Sequence, residues 1–121
     1  MARILVIEDN PINMKLAVLL LQKEGHEVLQ AVDAEEGIRL ARATHPRLIL
    51  MDMQLPGMDG LAASRLLKGD AATRDIKIVA LTALAMNGDR ERVATAGCDG
   101  YIAKPFHYKE ILKVVAQMVA A

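Results

Sequence analysis

Three runs of the chain are apolar at every position: Ile4 to Ile7, Leu48 to Met51 and Ile78 to Leu81. Unbroken apolarity over a short run, rather than alternation, is what a parallel strand covered on both faces displays. Two weaker runs fall into the same rhythm, which repeats about every 20 to 25 residues. The predicted strands are therefore Arg3 to Glu8, Glu27 to Gln30, Leu48 to Asp52, Lys77 to Thr82 and Gly100 to Ala103.

The intervals carry helix signals. Asn10 is a candidate N-cap with Pro11 at the first helical position, and Gly25 offers the left-handed residue that closes such a helix. Ile12, Leu16, Leu19, Leu20 and the stem of Lys23 set its expected inner face. Asp33 with Glu36 three residues on reads as a capping-box-like start, and Pro46 stops the helix that follows. Ile38, Leu40 and Ala41 should point inward there. A third helix is expected from Gly60 to Lys68 and a fourth from Gly88 to Ala96, closed by Gly97. The last, His107 to Val119, puts Ile111, Leu112, Val115, Met118 and Val119 on one wide apolar stripe.

Five strand-helix units in regular alternation predict an α/β fold: a doubly wound, five-stranded parallel sheet with helices on both faces and right-handed crossovers. No linker, repeat or low-complexity tract interrupts residues 1–121, so one domain is expected, with nothing over for an output domain.

Composition narrows the function. Of 121 residues, 53% are hydrophobic and 25% charged, enough for a real core. No apolar run approaches the roughly 18 to 20 residues of a membrane span and no signal-peptide pattern opens the chain, so a soluble, cytoplasmic protein is expected. Fifteen basic residues balance fifteen acidic ones, and only Tyr101, Phe106 and Tyr108 are aromatic. That balance leaves little attraction for a phosphate backbone and few rings for stacking bases, so direct nucleic-acid binding is not expected. The single cysteine, Cys98, can form neither an internal disulfide nor a thiolate cage, and reads as a small buried hydrophobe. His26, His45 and His107 have no metal-ligand spacing.

In open parallel sheets, ligands bind beyond the carboxyl ends of the strands. Here those ends carry Glu8 and Asp9, Asp52, Thr82 and Lys104. If the first and third strands are neighbours, three carboxylates converge. Two unit charges about 4 Å apart repel by roughly 4 kcal/mol at an effective dielectric near 20, so such a site wants a counter-charge. An all-oxygen donor set suits a hard cation, and Mg²⁺ normally combines one or two carboxylates with waters and a phosphate oxygen. Neither glycine-rich phosphate loop is present, which removes the warrant for dinucleotide or ATP binding. With a cation bridging carboxylates and phosphoryl group, Lys104 supplying charge and Thr82 a hydroxyl, one carboxylate can act as nucleophile.

These residues, Glu8-Asp9, Asp52 within the run Leu48 to Gly60, Thr82-Ala83 and Lys104-Pro105-Phe106, taken in order, resemble the receiver domain of two-component response regulators, the CheY-like superfamily. The match spans essentially the whole chain. Glu8 to Lys15 further resembles single-domain regulators of the DivK type and receivers attached to hybrid histidine kinases. The resemblance implies a flavodoxin-like strand order, 2-1-3-4-5. It also implies that Asp52 accepts a phosphoryl group from a sensor histidine kinase or histidine phosphotransfer protein. Asp9 would then ligate Mg²⁺ directly and Glu8 through water, while Gln54 contributes its backbone carbonyl. Lys104 would pair with the phosphoryl group, Thr82 would move toward it and Tyr101 would follow as an aromatic switch. A cis Lys104-Pro105 bond is implied as well. The readout would be a shift in the face formed by the fourth helix, fifth strand and fifth helix, near Ala85, Met86, Ala103, Phe106 and Tyr108, which would bind a downstream protein.

Each residue also has a plainer explanation. Asp52 could cap a turn, Glu8 and Asp9 could be a solvated pair near a helix N-terminus, Lys104 a surface charge and Thr82 a strand filler. Tyr101 could be an ordinary half-buried tyrosine, Gln54 a solvated loop amide, and Met51, Met53, Met58 and Met86 gap fillers. Glu at position 8, where some receivers have Asp, lengthens the reach to a metal. The rival activity is a small Mg²⁺-dependent phosphatase working through an aspartyl-phosphate, but Met53 and Gln54 after Asp52 provide no acid for a leaving group. A scaffold that is never phosphorylated is the third reading, and the joint presence of the five groups argues against it.

Overall fold

Strands β1 (Arg3–Ile7), β3 (Leu48–Asp52) and β4 (Lys77–Thr82) are buried at every position except Arg3 and Lys77. They form the middle of one five-stranded parallel sheet, with β2 (Glu27–Ala31) and β5 (Gly100–Ala103) at its edges, in the order β2-β1-β3-β4-β5. This is the predicted fold class and strand order. The computed structural model describes residues 2–82, 87–103 and 107–120.

The side chains of each central strand divide between two cores, as a period of two requires. Ile4, Val6, Leu48, Leu50, Val79 and Leu81 face α1 (Pro11–Lys23) and α5 (Tyr108–Ala120). Leu5, Ile7, Ile49, Met51 and Ile78 face α2 (Ala34–Thr44) and α3 (Gly60–Gly69). The remaining helix, α4 (Asn87–Thr95), packs beside β5. Each fully buried aliphatic side chain stabilises the fold by about 1.5–3 kcal/mol, so this double burial is what holds the sheet in register.

Helix ends follow the expected chemistry. Asn10 Oδ1 accepts hydrogen bonds from the Ile12 and Asn13 backbone N–H groups, at 2.9 and 3.1 Å. Asp33 caps α2 by accepting from Glu36 N at 2.8 Å, while the Glu36 side chain reaches back to Val32 N rather than to Asp33. Before Pro46, His45 takes the left-handed conformation, φ 47°, that ends α2.

The inner face of α1 differs from the expectation. Met14, Ala17, Val18 and Leu21 are buried, whereas Ile12, Leu16 and Leu19 are 78%, 39% and 56% exposed; Leu20 is half-buried and Lys23 exposed. The helix is apolar nearly all round, so periodicity offers two competing stripes, and the one containing small Ala17 packs against the sheet. Cys98 is half-buried rather than buried: it lies in the short connection between α4 and the edge strand β5, with its Sγ 3.4 Å from Ser64 Oγ. In α2, Ile38 and Ala41 are buried and Leu40 half-buried; in α5, Ile111 and Val115 are buried and Leu112, Met118 and Val119 half-buried.

Candidate functional site

Strand register brings the site residues together. Ile7 is the partner of Met51, so Glu8 and Asp52 are the next positions along two adjacent strands. Asp52 in turn pairs with Leu81, which places Thr82 one step beyond, and Thr82 pairs with Ala103. The strand order reverses at β1, which has β2 on one side and β3 on the other, so the crevice opens at the carboxyl ends of β1 and β3.

Three acids meet there. Glu8, Asp9 and Asp52 each present a carboxylate oxygen within 4.8 Å of the other two. Glu8 and Asp52 are buried, at 1% and 2% exposure, and Asp9 is exposed. Two buried carboxylates at this spacing repel each other in a medium that screens poorly. Glu8 Oε2 accepts a hydrogen bond from Asn10 N at 3.2 Å, and Asp52 Oδ1 accepts one from Gln54 N at 3.0 Å.

The loop after β3 holds Asp52 from below. Met53 N donates to Leu81 O at 2.9 Å and Gly60 N to Met53 O at 3.3 Å. A Cβ on Gly60 would overlap the Asp52 carbonyl oxygen and lie 2.8 Å from Met53 Cα, so only glycine permits this approach of α3 to the strand end. Asp59 caps α3 through Ala62 N at 2.8 Å.

Of the other predicted site residues, Thr82 is buried at 6% exposure and lines a cavity together with Gln54. The Gln54 side chain is exposed, and its backbone N–H is the group bonded to Asp52. Tyr101 is half-buried on β5, opposite Ala80. Lys104, with the Lys104-Pro105 bond, lies outside the described residues, as do Ala83, Ala85, Met86 and Phe106. Three residues of this region were not singled out by the sequence. Asn10, read only as a helix cap, also binds Glu8; Asp59, a capping residue before a glycine, had a recognisable signal; Arg92, on the cavity wall, had none.

The donor set fits a small divalent cation. Ligands on one Mg²⁺ at 2.0–2.1 Å stand at most about 4 Å apart, so three oxygens within 4.8 Å of one another can converge on a single ion with small side-chain movements. All three donors are carboxylate oxygens, which favour a hard ion over zinc or copper.

A sequence model of the response regulator receiver domain matches residues 4–116. The polar-differentiation response regulator DivK of Brucella ovis is 41% identical over 112 residues, covering 93% of this chain and 91% of that protein. Among solved structures, the receiver domain of a sensor histidine kinase from Pseudomonas aeruginosa superposes with a TM-score of 0.92 at 35% identity, over 99% of this chain and 98% of that one. That structure has a magnesium ion coordinated in its active-site cleft. A chemotaxis response regulator of Vibrio cholerae, 24% identical, shares the fold with a TM-score of 0.93 over 98% of both chains.

Proposed function

We propose, from the premise that this chain belongs to the response regulator receiver domain family, that Asp52 is its phosphoacceptor and that residues 1–121 act as one receiver unit. Receivers of two-component systems are phosphorylation-activated switches, and this chain is one. The phosphatase alternative finds no support among its relatives, which are signalling regulators.

The observation that carries the site assignment is the meeting of the Glu8, Asp9 and Asp52 carboxylates within 4.8 Å. Asp9 and Asp52 would hold Mg²⁺ with the Gln54 carbonyl, and Glu8 would act through water. Bound there, the ion supplies charge neutralisation between the acids and an incoming phosphoryl group. The Gln54 N–H holds Asp52 Oδ1 and so orients the carboxylate that attacks phosphorus. Lys104 pairs with the transferred group, Thr82 donates its hydroxyl to a phosphoryl oxygen, and Tyr101 follows Thr82 inward. The chain thus promotes its own phosphorylation and dephosphorylation without turning over a separate substrate.

The phosphoryl donor is a sensor histidine kinase or a histidine phosphotransfer protein. The output is a change in affinity for a downstream protein at the face of α4, β5 and α5, where Tyr108 is 55% exposed. No described helix is long and apolar enough to cross a membrane. We place the exchange in the cytoplasm. Intact mass after incubation with acetyl phosphate and Mg²⁺ tests the assignment. The parent should gain one phosphoryl group and Asp52→Asn none; equal modification of both would refute it.

A further inference from the structure

Only Glu8, Asp9 and Asn10 connect β1 to α1, and the first two carry carboxylates of the acid cluster. Asn10 is bonded in both directions. Its Oδ1 accepts from Ile12 N at 2.9 Å and from Asn13 N at 3.1 Å, and its carbonyl oxygen accepts from Met14 N at 2.9 Å, which fixes it to the first turn of α1. Its own N–H donates back to Glu8 Oε2 at 3.2 Å. A proline holds the residue before it in the extended region, and Asn10, followed by Pro11, stands there at φ −81°, ψ 119°. At the other end of the connection, Glu8 N donates to Ala31 O at 3.0 Å. Asp9 is carried between these two pinned positions. Its side chain is exposed, so the backbone on either side, not surrounding packing, fixes where its Cα stands.

Helix capping alone leaves the choice of residue open. The other two caps described at this edge of the sheet, those of α2 and α3, are Asp33 and Asp59. Aspartate and asparagine cap about equally well, and the helix dipole favours the charged one. Yet α1 begins on the neutral amide, immediately after two of the three clustered acids, where an aspartate would add a fourth carboxylate. Like charges gathered there repel, so the neutral cap suits the acid cluster as well as the helix.

Resting on the reading of the three acids as the Mg²⁺ site, we infer that Asn10 is a positioning residue for the divalent ion. Its cap bonds hold the N–H that binds Glu8 and keep the Asp9 carboxylate within reach of Asp52, without adding charge to the cluster.

The test measures the Mg²⁺ dissociation constant by calorimetry, and the melting temperature without the ion, in the parent, Asn10→Ser, Asn10→Gly, Asn10→Ala and Asp9→Ala. Serine restores an accepting oxygen. Glycine lacks the acceptor and frees φ at position 10, yet at a helix N-cap it lowers stability far less than alanine does, so Asn10→Gly separates ion positioning from folding. Asn10→Ala and Asn10→Gly should both raise the dissociation constant by about tenfold, as loss of a hydrogen-bonded partner of a metal ligand does, while Asn10→Ser should stay within about twofold of the parent. The parental constant in every Asn10 variant would overturn the inference. A constant that merely follows melting temperature, with Asn10→Gly close to the parent, would overturn it too, since that is the signature of a cap with a structural role alone. If the parent binds no Mg²⁺, or Asp9→Ala binds it as tightly as the parent, the acids do not hold the ion, and the reading of the site fails together with the role of Asn10.

Discussion

Asp52 Oδ1 and the Gln54 backbone N–H stand 3.0 Å apart, a bond that closes the turn after β3 around the buried carboxylate. The same turn is pressed from behind by Gly60, whose Cα faces the Asp52 carbonyl and the Met53 backbone. The Met53 side chain could move, but the Asp52 carbonyl oxygen and Met53 Cα are backbone atoms and cannot rotate aside. Gly60→Ala should cost about 1–3 kcal/mol in chemical denaturation and slow Asp52 phosphorylation by displacing the turn. A stable variant with parental kinetics would show that the turn tolerates movement.

The packing of α1 gives a paired prediction. Leu21 is fully buried and Ile12 is 78% exposed. Leu21→Ala should therefore destabilise the protein by about 2–5 kcal/mol, and Ile12→Ala by less than about 0.5–1 kcal/mol. Thermal or urea unfolding reads both; equal losses would mean that the stripe through Ile12 is the packed one.

That pair also marks where the sequence stops being legible. The central strands could be read because Ile4 to Ile7, Leu48 to Met51 and Ile78 to Leu81 are apolar throughout, as strands covered on both faces are, and alternate with helix signals at even spacing. The meeting of Glu8, Asp9 and Asp52 needed the strand order as well, which the apolar runs left open and the resemblance to receiver domains implied. The face of α1 was not legible, because a helix apolar on most sides gives no contrast. Arg92 and Lys68 could not be recognised either. Nothing local distinguishes a basic residue on a surface helix from one that reaches a cavity wall or spans two loops.

Lys68 ties α3 to the segments just before β4 and just before β5. Its Nζ donates to Ile76 O at 2.8 Å and to Asp99 Oδ2 at 3.0 Å, and the same Asp99 oxygen accepts from Ile78 N at 2.8 Å. Lys68→Ala should cost about 1–3 kcal/mol, because the Ile76 carbonyl just before β4 loses this donor and Asp99 keeps only Ile78 N. In a double-mutant cycle, Lys68→Ala and Asp99→Ala should be less than additive. Full additivity in urea denaturation would show that the two side chains act independently.

Burial pushes the Cys98 thiol above its ordinary pKa, with the nearby Asp99 charge acting in the same direction against the Ser64 and Lys68 contributions. The thiolate is the reactive form, so Cys98 should alkylate more slowly in the folded protein at pH 8 than in the urea-unfolded chain. Rates followed by mass spectrometry check this. Equal rates would place the sulfur in solvent.

The central claim is that the three carboxylates share one divalent ion and that Asp52 reacts only when the ion is bound. The rate of Asp52 phosphorylation by acetyl phosphate, measured across a Mg²⁺ titration in the parent and in Asp9→Ala, tests it most directly. The parent should show no transfer with chelator present and a saturable rise with Mg²⁺, and Asp9→Ala should need about tenfold more ion or higher. Transfer at the same rate with and without Mg²⁺, or an identical titration in both proteins, would contradict it.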